Sequence, residues 1–95
     1  MDIKLELDEK QKGAFNIYEN ETKLGEMSIS ISGNELTAYH TLVIPQERGK
    51  GCAKELLNQM VAYARQHKLK VIAKCPYVHS KFEANPGLYR DIWLM

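Results

Sequence analysis

The chain has 95 residues, 44 % of them hydrophobic and 26 % charged, with 13 basic and 12 acidic side chains for a net charge of +1. That length holds a single domain, residues 1–95, which would bury about 65 % of its unfolded surface, and the composition is that of a folded globular chain. Near-neutral charge gives no general surface for nucleic acid or anionic lipid, and no apolar run reaches the roughly 20 residues of a membrane helix.

Ile3, Leu5 and Leu7 alternate with charged residues, which predicts a strand with one wet face and does not fit a signal peptide. Residues 8–13 form a polar turn, after which Phe15 and Ile17 resume the two-residue period. A second polar break at 19–23 precedes Leu24 to Ile31, with Met27, Ile29 and Ile31 on one face. Ser32-Gly33-Asn34 carries turn chemistry. A fourth strand runs from Glu35 to Ile44; strict alternation puts Leu36, Ala38, His40, Leu42 and Ile44 on one side and Thr37, Tyr39, Thr41 and Val43 on the other.

The period then changes. Ala53, Leu56, Leu57, Met60, Val61 and Ala64 follow the spacing of an amphipathic helix that starts after Gly51 and ends near His67. Leu69 to Lys74 is a fifth strand stopped by Pro76, and residues 78–84 form a short helix before Asn85-Pro86-Gly87 breaks it. The expected fold class is α+β: an antiparallel meander of four strands, then a strand–Gly loop–helix–strand unit and a short C-terminal helix. Cys52 and Cys75 have no CxxC or metal spacing, so free thiols and a cytoplasmic setting are expected.

The segment from Ile44 to Ala53 carries the chemistry. Gly49 and Gly51 let the backbone curl and approach a ligand, and the loop feeds directly into a helix N-terminus. That geometry suits a phosphate or pyrophosphate, with Arg48 and Lys50 at the rim. The spacing fits neither a Walker A loop nor the three-glycine dinucleotide fingerprint. A tight turn with solvated basic residues is the alternative.

Gln46-x-x-Gly49-x-Gly51, between a strand and an amphipathic helix, resembles the Q/R-x-x-G-x-G/A loop of the GNAT acyltransferase superfamily. Tyr39-His40-Thr41, Gly49-Lys50-Gly51 with Ala53, Tyr63-Ala64-Arg65, Lys70-Val71 and Cys75-Pro76-Tyr77 together resemble one branch of it, made of short stand-alone proteins. The similarity runs over residues 38–92. It implies a site for coenzyme A or acetyl-coenzyme A at the splayed ends of the fourth and fifth strands. Ile44 would supply backbone contacts to the pantetheine arm, Gln46, Glu47, Arg48, Gly49, Lys50, Gly51, Cys52 and Ala53 would wrap the pyrophosphate, and Val43 is a further cofactor-binding candidate.

The resemblance places the reactive end of the cofactor near Cys75. A thiol there can take an acyl group if a base or positive field activates it, and His40, or secondarily His79, is a candidate base for the thiol or for an acceptor amine. Tyr89 is the candidate general acid. The chain has too few residues for the two helices that usually follow the first strand in the superfamily, and it reads Asn85-Pro86 where the branch tends to show His-Pro. The expected activity is transfer of an acyl group from acetyl-coenzyme A to an amine, on a small molecule or a protein lysine or N-terminus. A non-catalytic coenzyme A-binding module and a protein-interaction domain are the alternatives. The aromatic C-terminal segment, Tyr77, Phe82, Tyr89 and Trp93, is expected to pack on the sheet or wall a pocket. A monomer or weak dimer is expected, given one open sheet edge.

Overall fold

Alternation in the first half folds as expected into a meander. A computed structural model describes residues 1–95: strands β1 (Asp2–Leu7), β2 (Lys12–Glu19), β3 (Thr22–Ser32) and β4 (Glu35–Val43), helix α1 (Cys52–Gln66), strand β5 (Lys70–Ala73), and helices α2 (Pro76–Ala84) and α3 (Pro86–Tyr89). The five strands form one sheet in the order β1-β2-β3-β4-β5. Neighbours are antiparallel except β4 and β5, which run parallel across the α1 crossover.

The odd-numbered residues of β1, of β2 up to Ile17 and of β3 from Gly25 onward face α1, and a bulge at Leu24 puts that side chain rather than Lys23 in the core. Phe15, Ile17, Met27 and Ile29 join Leu36, Ala38 and Val71 against Leu56, Leu57, Met60, Val61 and Ala64 of the helix, all in one buried cluster. Phe15 meets Tyr63 edge-on at 5.7 Å between ring centroids. Each fully buried Leu, Ile, Met or Phe contributes about 1.5–3 kcal/mol, which the entropy of ordering the chain largely offsets. α1 ends where its apolar spacing ends. Lys68 takes a left-handed conformation (φ 56°), and the amides of Leu69 and Lys68 close back on Ala64 O at 2.8 Å and Arg65 O at 3.3 Å. This is a Schellman stop built on lysine rather than glycine.

The C-terminal segment packs as expected. Trp93 bridges to Val71 outside β5, with Val71 N–H donating to Ile92 O at 2.6 Å. Phe82 stacks on Tyr89 at 4.5 Å and meets Trp93 at 5.6 Å. Arg65 ties this tail to α1 through the Asp91 carboxylate at 2.9 Å and Leu88 O at 2.7 Å. Two boundaries differ from the sequence expectation. Proline suits a first helical position, where no N–H is needed, so α2 begins at Pro76 and the stretch at Pro86 opens a further helical turn instead of only breaking the chain.

The larger correction is in β4. Ser28 pairs with His40 but Ile29 pairs with Ala38, so Tyr39 is an extra residue, a β-bulge that reverses the alternation beyond it. Leu36 and Ala38 keep the α1 face, but Thr41 and Val43 then take it, opposite Met27 and Gly25. His40 and Leu42 turn to the open face, where both are exposed. They do not share a side with Leu36 and Ala38.

Candidate functional site

The β4–β5 ladder stops at the pair Ala38–Ala73. There the Ala38 carbonyl accepts two amides, Lys74 at 3.0 Å and Cys75 at 2.8 Å, and the strands part. β4 continues alone to Val43. Ile44 N–H donates to Leu24 O at 2.9 Å, which fixes the phase of the β3 ladder: His40 and Leu42 also bond toward β3. Thr41 and Val43 therefore direct their N–H and C=O groups into the opening that β5 vacates. Val43 thus opens on the gap, and Ile44, the residue expected to contact a pantetheine arm, does not. Its N–H serves Leu24, and its carbonyl accepts Glu47 N–H at 3.0 Å. Thr41 takes that position instead, and only the bulge explains why sequence alternation missed it.

The opening continues into a cavity of about 440 Å³ that runs from Thr41 and Val43 to the N-terminus of α1, with Tyr77 on its far wall. Glu47, Arg48, Gly49, Gly51, Cys52 and Ala53 line it, as the sequence suggested, and Lys54 joins them. Gln46 and Lys50 are exposed and outside the lining. Gln46 belongs to a 3-10 turn at Pro45–Glu47, and the Lys50 ammonium reaches back to Glu47 at 3.5 Å.

Gly49 and Gly51 both hold left-handed backbones, φ 80° and 89°, and a Cβ at either would meet no atom within 4 Å. The backbone conformation, and not crowding inside the protein, demands glycine there. The first helical bond of this turn runs from Glu55 N–H to Gly51 O at 3.0 Å. The amides of Gly49, Gly51, Cys52, Ala53 and Lys54 have no protein acceptor, and no side chain caps the helix. Unpaired donors at a helix start carry the positive end of its dipole. Together with Arg48 and Lys54 they form a cradle for an anionic group.

The catalytic candidates are not gathered into one cluster. Cys75 is the residue before α2, 1 % exposed, with its Sγ 3.2 Å from Thr41 Oγ1. His40 lies on the opposite sheet face and is not its partner. His79 packs edge-on against Trp93 at 5.8 Å. Tyr89 is buried against Phe82, whereas Tyr77 lines the cavity. Burial, then Tyr89 and Cys75 nearby, pushes the Tyr77 hydroxyl above its ordinary pKa, so it stays a proton donor at neutral pH. Burial, with the Glu47 carboxylate adding, also pushes the Cys52 thiol up. Helix-start acidification does not prevail there, and Cys52 packs as a small hydrophobe.

No helix is long and apolar enough to cross a membrane. No curated protein shows significant sequence similarity to the chain. Among solved structures, a GCN5-like protein from Staphylococcus aureus, determined by NMR, shares 31 % identity over 98 % of this chain and 87 % of that one, at a TM-score of 0.69. The ribosomal-protein-S18-alanine N-acetyltransferase of Escherichia coli superimposes over 70 % of this chain at a TM-score of 0.64 and 13 % identity. Nourseothricin acetyltransferase does so over 74 % at 0.56 and 24 %. Those two likenesses are of fold alone, and the chain spans only 43 % and 44 % of their lengths. The family model for the GCN5-related N-acetyl-transferases matches residues 14–92, which take in β2 from Ala14, β3 to β5 and α1 to α3 but not β1. With that match and a mixed five-stranded sheet that forks beside a glycine loop, the chain belongs to the GCN5-related N-acetyltransferase family.

Proposed function

We propose that the protein is an acetyl-coenzyme A-dependent N-acetyltransferase, acting on an amine of a small molecule or on a protein lysine or N-terminus. The observation that carries this reading is the row of five unpaired amides from Gly49 to Lys54, opening on a cavity that the free edge of β4 continues. The residues fit the cofactor: the amides, Arg48 and Lys54 suit a pyrophosphate, and Thr41 and Val43 offer strand-like hydrogen bonds to the amides of a pantetheine arm. When bound, the cofactor supplies an acyl thioester open to attack by an amine.

The chain's own groups divide the remaining work. The β4 edge and the loop hold and orient, so that the reaction is effectively intramolecular. His40, exposed on the open face, is placed to take the proton of an acceptor amine arriving from that side, and it does not serve Cys75. Tyr77 is the proton donor for the departing thiolate. Cys75 stands at the fork with its thiol held by Thr41. Its burial favours direct transfer over an acyl-cysteine route, with the thiol shaping the apex of the opening.

A second reading, a module that binds acyl-coenzyme A without turning it over, is favoured by the separation of Cys75 from His40. One experiment distinguishes them. Acetyl-coenzyme A is titrated by calorimetry into the wild type and Gly49→Val, and free thiol release is followed with a panel of amines and lysine peptides. Binding that Gly49→Val abolishes, with amine-dependent release lost in His40→Ala, is the expected result. Binding without release supports the second reading, and absence of binding refutes both.

A further inference from the structure

β1 closes one side of the sheet, with β2 as its only strand neighbour. The bond from Asp8 N–H to Lys12 O at 2.8 Å sets the phase of the ladder between them. Closely spaced pairs recur at every second residue, so Glu6, Lys4 and Asp2 bond across to Ala14, Asn16 and Tyr18 in the observed register. Ile3, Leu5 and Leu7 thus direct their N–H and C=O groups outward, away from β2. Their side chains are half-buried beside the core on the α1 face, while Lys4 and Glu6 occupy the open face. The edge carries neither a proline nor a bulge, two of the devices that block strand pairing.

We propose that this edge pairs antiparallel with β1 of a second copy of the chain, about a two-fold axis at Leu5, to give one continuous sheet. Outward donors face outward acceptors only when odd-numbered residues meet odd-numbered ones. Centred on Leu5, Leu5 meets its own counterpart, Ile3 meets Leu7, and Lys4 meets Glu6, each on the matching face. Centring on Lys4 opposes two lysines and sets Asp2 against Glu6, and centring on Glu6 opposes two glutamates. Facing charges of opposite sign stabilise a strand pair and like charges oppose it; centring on Ile3 also sets Lys4 against Asp2 but leaves Glu6 and Leu7 without counterparts, so the Leu5-centred register is the longest that meets the condition.

Glu6 is prepared for that contact. Its Oε1 accepts Asn16 Nδ2 at 2.8 Å and Tyr18 OH at 2.6 Å, which leaves Oε2 for Lys4 of the second copy. Those two bonds, Tyr18 first, hold the Glu6 carboxyl below the usual carboxylate range. At the strand ends Asp2 faces Asp8, whose carboxylate is turned into its own turn by the Lys10 and Lys12 amides at 2.8 and 3.0 Å. One strand pair buries less than the roughly 1,200 Å² of a stable interface, so the dimer is weak and concentration-dependent.

Sedimentation equilibrium and amide hydrogen exchange over a concentration series test this. The expected result is a monomer–dimer equilibrium in which the Ile3, Leu5 and Leu7 amides gain protection as concentration rises, while Lys4 and Glu6 are protected throughout. Lys4→Glu should weaken self-association by about tenfold, and an equimolar mixture of Lys4→Glu with Glu6→Lys should restore it, melting curves confirming that both variants fold. A monomer at every concentration overturns the proposal. So does a dimer whose odd-numbered β1 amides stay unprotected, or a mixture that associates no better than either variant alone.

Discussion

Replacing Gly51 separates what the glycine does for the fold from what it does for a ligand. Its backbone lies at φ 89°, ψ 6°, and an added Cβ would meet nothing within 4 Å. Gly51→Ala therefore introduces no collision, only the cost of holding an L-residue in the left-handed region, about 1–2 kcal/mol. In a domain of this size each kcal/mol lowers Tm by about 4–8 °C. Asparagine tolerates that region far better than alanine, so Gly51→Asn should recover most of the lost Tm. Its side chain still takes up open space beside the cavity that Gly51 lines. A hundredfold excess of coenzyme A over its dissociation constant should stabilise the wild type by about 2.7 kcal/mol. Scanning fluorimetry with and without the ligand should then show a low apparent Tm and little ligand shift for Gly51→Ala, and a near-wild-type Tm with little shift for Gly51→Asn. A full ligand shift in Gly51→Asn would refute the cradle, and an unchanged Tm in unliganded Gly51→Ala would refute the strain argument.

Lys68 holds the left-handed stop of α1 (φ 56°), so Lys68→Gly should raise stability by up to about 1 kcal/mol in chemical denaturation; a lower midpoint would contradict the account. Gly25 lies so close to β4 that a Cβ would sit 2.6 Å from Leu42 O, and Gly25→Ala should cost about 1–3 kcal/mol by overpacking, measured in the same way. Cys52 and Cys75 are both 1 % exposed and the Cys52 thiol is pushed up by burial, so an aromatic disulfide reagent at pH 8 should titrate both only after denaturant is added. Arg65 holds the Asp91 carboxyl below its ordinary value of 3.8. A depressed carboxyl adds stability that is present above the unfolded pKa and lost as pH falls through the folded one. Wild type and Arg65→Gln should therefore differ in stability above about pH 4 and converge on further acidification.

The meander, the α1 boundaries and the glycine loop were legible because each rests on local chemistry: period two, the apolar spacing from Ala53 to Ala64, and paired glycines before a helix. The faces of β4 were not. Thr37 to Val43 alternate acceptably in either phase, and the extra residue at Tyr39 is set by pairing with β3, a non-local choice that strand periodicity does not record. That one residue moved His40 away from Cys75, withdrew Ile44 from the site and put Thr41 into it. Lys54 escaped for a related reason, and Tyr77 stood out only as one of four aromatics expected to pack on the sheet or wall a pocket. Their place on the cavity wall depends on how α1 and α2 converge at the fork, not on their neighbours in sequence.

Tyr39 also divides β4 into two regimes of substitution. Below it, Leu36 and Ala38 are completely buried, and any change of volume is felt across the sheet. Above it, Thr41, Leu42 and Val43 border open space. Side chains around the opening can therefore change with less effect on the core, and the bulge acts as insulation between a close-packed interior and an open mouth. Taking Tyr39 into a regular ladder would fuse the two, returning His40 and Leu42 to the α1 face and turning Thr41 and Val43 outward, whereas deleting it would leave each of them on its present face.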